Sequence, residues 1–205
     1  FDINRMEVEL DEHILLLVAK RQPAAGDLRL VMSISKGVVD LERIGDEAVK
    51  IAKMANRIAA QGKSSYGYAE VQHLSNQVRL MLNNALEAFS QSNAEQAFEV
   101  MRNDSVVNNE YQSAIRALMT YIMEDSRQVS KVINIMWILR SLERIGDHAQ
   151  NVAELVINYI SGQDVRHSDY AMVEKAVQEA NDRLAARQVS TMSVDDYEAL
   201  ESNDD

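Results

Sequence analysis

The feature that most constrains this chain is a hexapeptide that occurs twice. Leu41-Glu42-Arg43-Ile44-Gly45-Asp46 returns letter for letter as Leu142-Glu143-Arg144-Ile145-Gly146-Asp147, and agreement resumes at Ala48/Ala149 and Ala52/Ala153. Both copies lie in long proline-free stretches with apolar residues at helical spacing, which predicts two equivalent helices in an internally repeated chain. Residues four apart on a helix share a face, so Glu42 stands beside Asp46 and Glu143 beside Asp147. Like charges at that spacing cost an isolated helix about 0.2–0.5 kcal/mol, and an interior glycine about 0.8–1 kcal/mol relative to alanine. A penalty met twice points to a cation between the acids. The competing reading is a structural ion network with Arg43, Arg144 and neighbouring bases. Gly45 and Gly146 read most simply as points of close helix packing.

The repeat fits an all-α chain. Seven glycines and one proline in 205 residues leave too few turn residues for a sheet fold, while 46% hydrophobic content supports a real core. A net charge of −11 argues against a general nucleic-acid surface. With no cysteine, a metal would take oxygen or imidazole ligands. The longest apolar run, Ile14 to Ala19, falls far short of the roughly 20 residues that span a bilayer, so any membrane role would be peripheral.

Along the chain, Ile3, Met6, Leu10, Ile14 and Leu17 recur at helical spacing from the first residues, without an initiating methionine, so an upstream segment is expected. Pro23 marks a corner, and Asp27 reads as the N-cap of a helix over 28–60. On that helix Glu42 and Asp46 fall at the edge of the apolar arc, whereas Lys36, Arg43, Glu47 and Lys50 occupy the solvated face. Gln61 to Gly67 reads as a linker; Gly62-Lys63-Ser64 inside it lacks both the first glycine and the preceding strand of a phosphate-binding loop. Helices are expected over 68–91, from a Ser92-to-Glu95 capping box to 123, and over 128–161, with a weaker one over 168–187. Residues 190–205 are acidic and polar and are expected to be disordered. The domains expected are 1–62, 68–162, and 163–205 as a C-terminal helix and tail.

Other candidates are weaker. Asp104 and Asn108 form another oxygen-bearing pair four residues apart. Glu70-x-x-His73 is half of a di-iron motif that needs two copies, so a ferritin-like redox bundle is a minor alternative, and a passive oligomerisation scaffold another. His148 projects about 100° round the helix from Asp147 and reads as surface. No nucleophile–base arrangement is visible, so an enzyme is not indicated.

Both copies of Leu-Glu-Arg-Ile-Gly-Asp, the stretch Lys20-Arg21-Gln22-Pro23 leading into Asp27-Leu28-Arg29-Leu30-Val31-Met32, and Leu118 to Arg127 resemble the PhoU family over Phe1 to about His167. That resemblance implies two pseudo-symmetric three-helix bundles, the first here without its opening helix. It implies a cytoplasmic, often dimeric regulator of phosphate homeostasis. Such a regulator links the phosphate ABC transporter, through its ATPase subunit, to the phosphate sensor histidine kinase, represses phosphate-starvation genes and restrains uptake. It also implies divalent or trivalent metal ions (Mg, Mn, Fe or Zn), singly or as multinuclear clusters, at Glu42, Asp46 and Asn4 in the first half and at Asp104, Asn108, Glu143 and Asp147 in the second. The acidic partner four residues before Asn4 falls outside the sequence, and both facing motifs end in asparagine.

Overall fold

The computed structural model describes the backbone of residues 2–62, 67–166 and 168–201, and their side chains except at 184 and 187–201. Among these residues there are six α-helices and no strand: α1 (Asp2–Arg21), α2 (Ala25–Ala60), α3 (Tyr68–Gln91), α4 (Ala94–Glu124), α5 (Val129–Ser161) and α6 (Tyr170–Glu201). Helices α1 and α2 form one antiparallel pair. Helices α3, α4 and α5 form a three-helix bundle, and α2 lies along α5 in the most extensive helix interface of the molecule. No third helix among the described residues stands on α1 and α2 where α3 stands on α4 and α5.

The core follows from this. Helix α5 buries sixteen residues, including Val132, Leu139, Ala149, Val156 and Ile157, because α2, α3, α4 and α6 surround it. Leu74, Val78, Met81 and Ala85 of α3 and Val100, Met101, Val107 and Leu118 of α4 complete the cluster. Helix α2, although longer, buries only Ser33, Gly37, Glu47 and Ile58, and α1 buries none. The apolar arc of α2 is accordingly part bare, with Ala48, Ala52 and Ala55 exposed.

Helix ends mostly fall where expected, with three differences. Helix α2 begins at Ala25, on an extended Ala24, rather than being capped by Asp27. The corner turns through Gln22 and Ala25 in the left-handed region, so the chain re-enters helix before Asp27 is reached. Helix α4 is capped by Asn93, whose side chain accepts from the Gln96 N–H, while Ser92 is the left-handed residue that ends α3. Helix α6 continues as helix to Glu201, into the stretch whose polarity suggested disorder; no glycine or proline interrupts it after Tyr170.

Gly67 shows why a glycine is needed in the α2–α3 connection. It has φ +82°, and a Cβ there would come within 2.9 Å of two Ile135 carbons. The linker residues 63–66, with most of the Gly62-Lys63-Ser64 stretch, and the tail residues 202–205 lie outside the described residues.

Candidate metal site

The four candidate residues of the second half come together. The close approach of α4 to α5 is set at Gly146, where an added Cβ would lie 3.2 Å from Val107 Cγ1. That proximity places Asp104 and Asn108 of α4 opposite Glu143 and Asp147 of α5, all four half-buried. The Asn108 amide donates to Asp104 Oδ2 at 2.8 Å, and Arg140 donates to Glu143. Asp104 Oδ1 is buried and has no hydrogen-bond partner.

Electrostatics identify these acids as a strained group. Burial, and then the charge of Asp147, push the Asp104 carboxyl above its ordinary range despite the Asn108 bond. Burial and Asp147 do the same to Glu143, against the pull of Arg140. Burial raises Asp147 although Arg140, His148 and Arg144 oppose it. Carboxylates that resist ionisation because they are desolvated and crowded by like charge are relieved by a cation. The donor set is all oxygen, which suits a hard ion. As the side chains are placed, no three His, Cys, Asp or Glu residues among those described converge on one ion position. Arg140 and the Asn108 amide hold two of the acids in the meantime.

The first half is different. Asn4 of α1 donates to Glu42 at 3.0 Å and Ser35 to Asp11 at 3.5 Å, so α1 meets α2 in antiparallel register with Asn4 beside Glu42. Asp46 is exposed, and a Cβ at Gly45 would meet only Ile3 Cδ1, at 3.0 Å. The two clusters do not merge into one site.

Two residues read from sequence as solvent-facing are buried. Glu47 is 2% exposed; it accepts from Lys50 and Arg144, each at 2.9 Å, and Ser141 also bonds it. Burial raises the Glu47 carboxyl, but Lys50, Ser141 and Arg144 together outweigh it and hold the group below its ordinary range. His148 is 6% exposed and bonds Asp40 at 2.8 Å, while Asn151 donates to the same Asp40 oxygen at 3.0 Å. Of the α2 face judged wet from one helix, Glu47 is covered by α5, while Lys36, Arg43 and Lys50 stay exposed. The numbering held the clue: Asp40 and Glu47 correspond, through the repeat, to Ser141 and His148, so a two-fold crossing of the repeated helices brings 40 to 148 and 47 to 141.

The other motif does not assemble. Glu70 accepts from Tyr121 at 3.0 Å, and His73 approaches Glu110 at 3.7 Å. These are separate surface pairs.

A helical pair and a helical bundle joined through α2 and α5, the two helices that carry the repeat, define an all-α protein of duplicated architecture. The PhoU domain model matches residues 1–55 and 71–156, and the chain belongs to the PhoU family. It is 52% identical over 176 residues to the phosphate-specific transport system accessory protein PhoU homolog of Pseudomonas aeruginosa, covering 86% of this chain and 73% of that protein. It is 43% identical over 166 residues to the phosphate-specific transport system accessory protein PhoU of Escherichia coli K12, covering 81% and 68%. The crystal structure of PhoU from P. aeruginosa superposes with TM-score 0.77 at 53% identity, over 79% of this chain and 78% of that one. Membership places the chain among accessory proteins rather than enzymes. No described helix is long and apolar enough to cross a membrane.

Proposed function

We propose that this chain is an accessory regulator of a phosphate uptake system. It would link the ATPase subunit of the phosphate transporter to the phosphate sensor histidine kinase, repressing phosphate-starvation genes and restraining uptake when phosphate is plentiful. The observation that supports this reading is 52% identity to the P. aeruginosa accessory protein across 86% of the chain, with both acidic motifs inside the matched segments. A cytoplasmic homodimer of two repeats, 1–62 and 68–162, with 163–205 appended, is the form this role calls for.

In this reading the second acidic cluster holds a hard cation. Asp104, Glu143 and Asp147 supply the carboxylates, Asn108 a neutral oxygen, and Glu42, Asp46 and Asn4 a more open counterpart. A bound ion would neutralise the crowded carboxylates and tie α4 to α5, and α1 to α2. To ligate, Glu143 must let go of Arg140 and Asp104 must use its unpartnered Oδ1.

Co-purification of the intact protein with the transporter ATPase and the sensor kinase tests the role. Wild type should capture both, and a variant with Glu42, Asp46, Glu143 and Asp147 all changed to alanine should capture them less. Capture of neither partner by wild type sinks the regulatory assignment. Undiminished capture by the variant makes the acids structural, as in a passive scaffold. Elemental analysis after loading with Mg, Mn, Fe or Zn tests the ion separately; no bound metal under any loading rejects it.

A further inference from the structure

The outer face of α2 carries a charge pattern that neither the acidic motif nor the core requires. Arg29, Lys36, Arg43, Lys50 and Arg57 recur at strict seven-residue intervals and all five are exposed. Seven residues are about 10.5 Å of helix, so the five cations form a ladder about 42 Å long that winds slowly round α2. Lys53 stands beside it, also exposed. This occurs on a protein whose net charge is −11.

The fold sharpens the pattern by turning acids inward. Of the five acids on α2, Asp40 is held by His148 and Asn151, Glu42 by Asn4, and Glu47 by Lys50 and Arg144. Only Asp27 and Asp46 remain outside. Among the ladder cations, Lys50 is paired with Glu47, Lys36 feels Asp164, and the Arg29 guanidinium packs beside Gly162 at the C-terminal end of α5. Arg43 is exposed and lines a cleft with Lys36. In the cleft beside Lys36 and Arg43, Asp40, Asp164 and Glu154 each already hold a donor, from His148, Arg166 and Gln150.

Apolar side chains line the same face. Leu28, Met32 and Val39 are 38%, 45% and 36% exposed and flank the ladder. The antiparallel register set by Asp40–His148 and Glu47–Arg144 puts Trp137 of α5, 60% exposed, level with Lys53, with Arg140 and Arg144 following along α5. Arginine and tryptophan exposed on a two-helix face are the composition of a protein-docking surface. A single line of cations at heptad spacing complements a helix bearing acids at the same spacing, the pairing by which adjacent helices select partners.

We propose that this face docks an acidic helix of a partner protein, laid along α2 with carboxylates every seven residues and its end against Trp137. The proposal rests on the chemistry of the α2 surface and stands apart from the phosphate reading.

The test uses the full chain and an alanine-rich helical peptide of about five heptads with one glutamate and one leucine per heptad. Wild type should bind it with affinity that falls steeply as salt rises. Lys36→Glu combined with Arg43→Glu should weaken binding by about tenfold or more, and Trp137→Ala by a smaller factor. Circular dichroism confirms that both variants fold, as these side chains are exposed. A peptide of the same composition with its glutamates spread round the helix should bind poorly; equal binding overturns the proposal. So do stronger binding to vesicles containing phosphatidylserine, which makes the face a membrane surface, and loss of self-association in the double variant, which makes the occupant a second copy.

Discussion

The same six residues sit in unlike surroundings. In the second copy Leu142, Ile145 and Gly146 are buried, and Glu143 and Asp147 are half-buried opposite Asp104. In the first copy Leu41, Ile44 and Gly45 are only half-buried and Asp46 is exposed. Among the described residues the difference is one helix. Leu74, Val78 and Met81 of α3 close the second copy, whereas the groove between α1 and α2, lined by Ile3, Met6, Leu10, Val38, Leu41 and Ile44, stays open. The motif supplies carboxylates and a packing glycine; burial by the surrounding helices makes the acids of the second copy electrostatically costly.

The largest effects should come from the core. Leu139→Ala removes a fully buried side chain and should cost about 2–5 kcal/mol, while Leu10→Ala in the open groove should cost well under that. Denaturant unfolding of the two variants measures the gap; equal losses would mean that the first half is as tightly closed as the second.

A smaller contrast concerns the paired glycines. An alanine at 146 meets the buried Val107 at 3.2 Å, with Met81 and Val78 behind it, and should destabilise by about 1 kcal/mol after its gain in helix propensity. An alanine at 45 meets only the tip of Ile3, which is 42% exposed and can move aside, and should be neutral or stabilising by up to about 1 kcal/mol. Thermal melts giving both substitutions the same sign would show that packing at the two copies is equivalent.

The smallest effect is in pH dependence. Carboxyls held above their ordinary range bind protons more readily in the folded state, so Asp104, Glu143 and Asp147 favour folding below their unfolded values of 3.8 and 4.5, and that advantage is lost as pH rises through their raised values. In cation-free buffer Asp147→Asn should therefore stabilise the protein near pH 7 and lose its benefit near pH 4. Glu47 has the opposite sign: its stabilisation is present above 4.5 and disappears as pH falls through its lowered value, so Glu47→Gln should destabilise at pH 7 and not in acid. Unfolding curves across this range that move together would break the contrast.

Much of this was legible in the chain. Six helices were expected within a few residues of where five of them run, because Gly67, Gly162 and Pro23 punctuate long periodic stretches. The pairing of Asp104 and Asn108 with Glu143 and Asp147 was placed by the resemblance; the edge of the apolar arc was read for Glu42 and Asp46, of which Glu42 is half-buried and Asp46 exposed. Glu47 and His148 were missed for one reason. A helical wheel assigns each residue a face but cannot count how many neighbours the helix will have, and α2 meets α1 on one side and α5 on another. Polar residues that look solvated on an isolated helix can then be drawn into an interface, provided a partner such as Ser141, Arg144 or Asp40 arrives to satisfy them.

The sequence alone determined the all-α class, the internal repeat and the adjacency of the acids, because each depends on local spacing or on residue type. Tertiary structure decided which α2 acids turn inward and which cations remain outside. Those outcomes depend on desolvation and on charges from other helices, which no stretch of one helix contains.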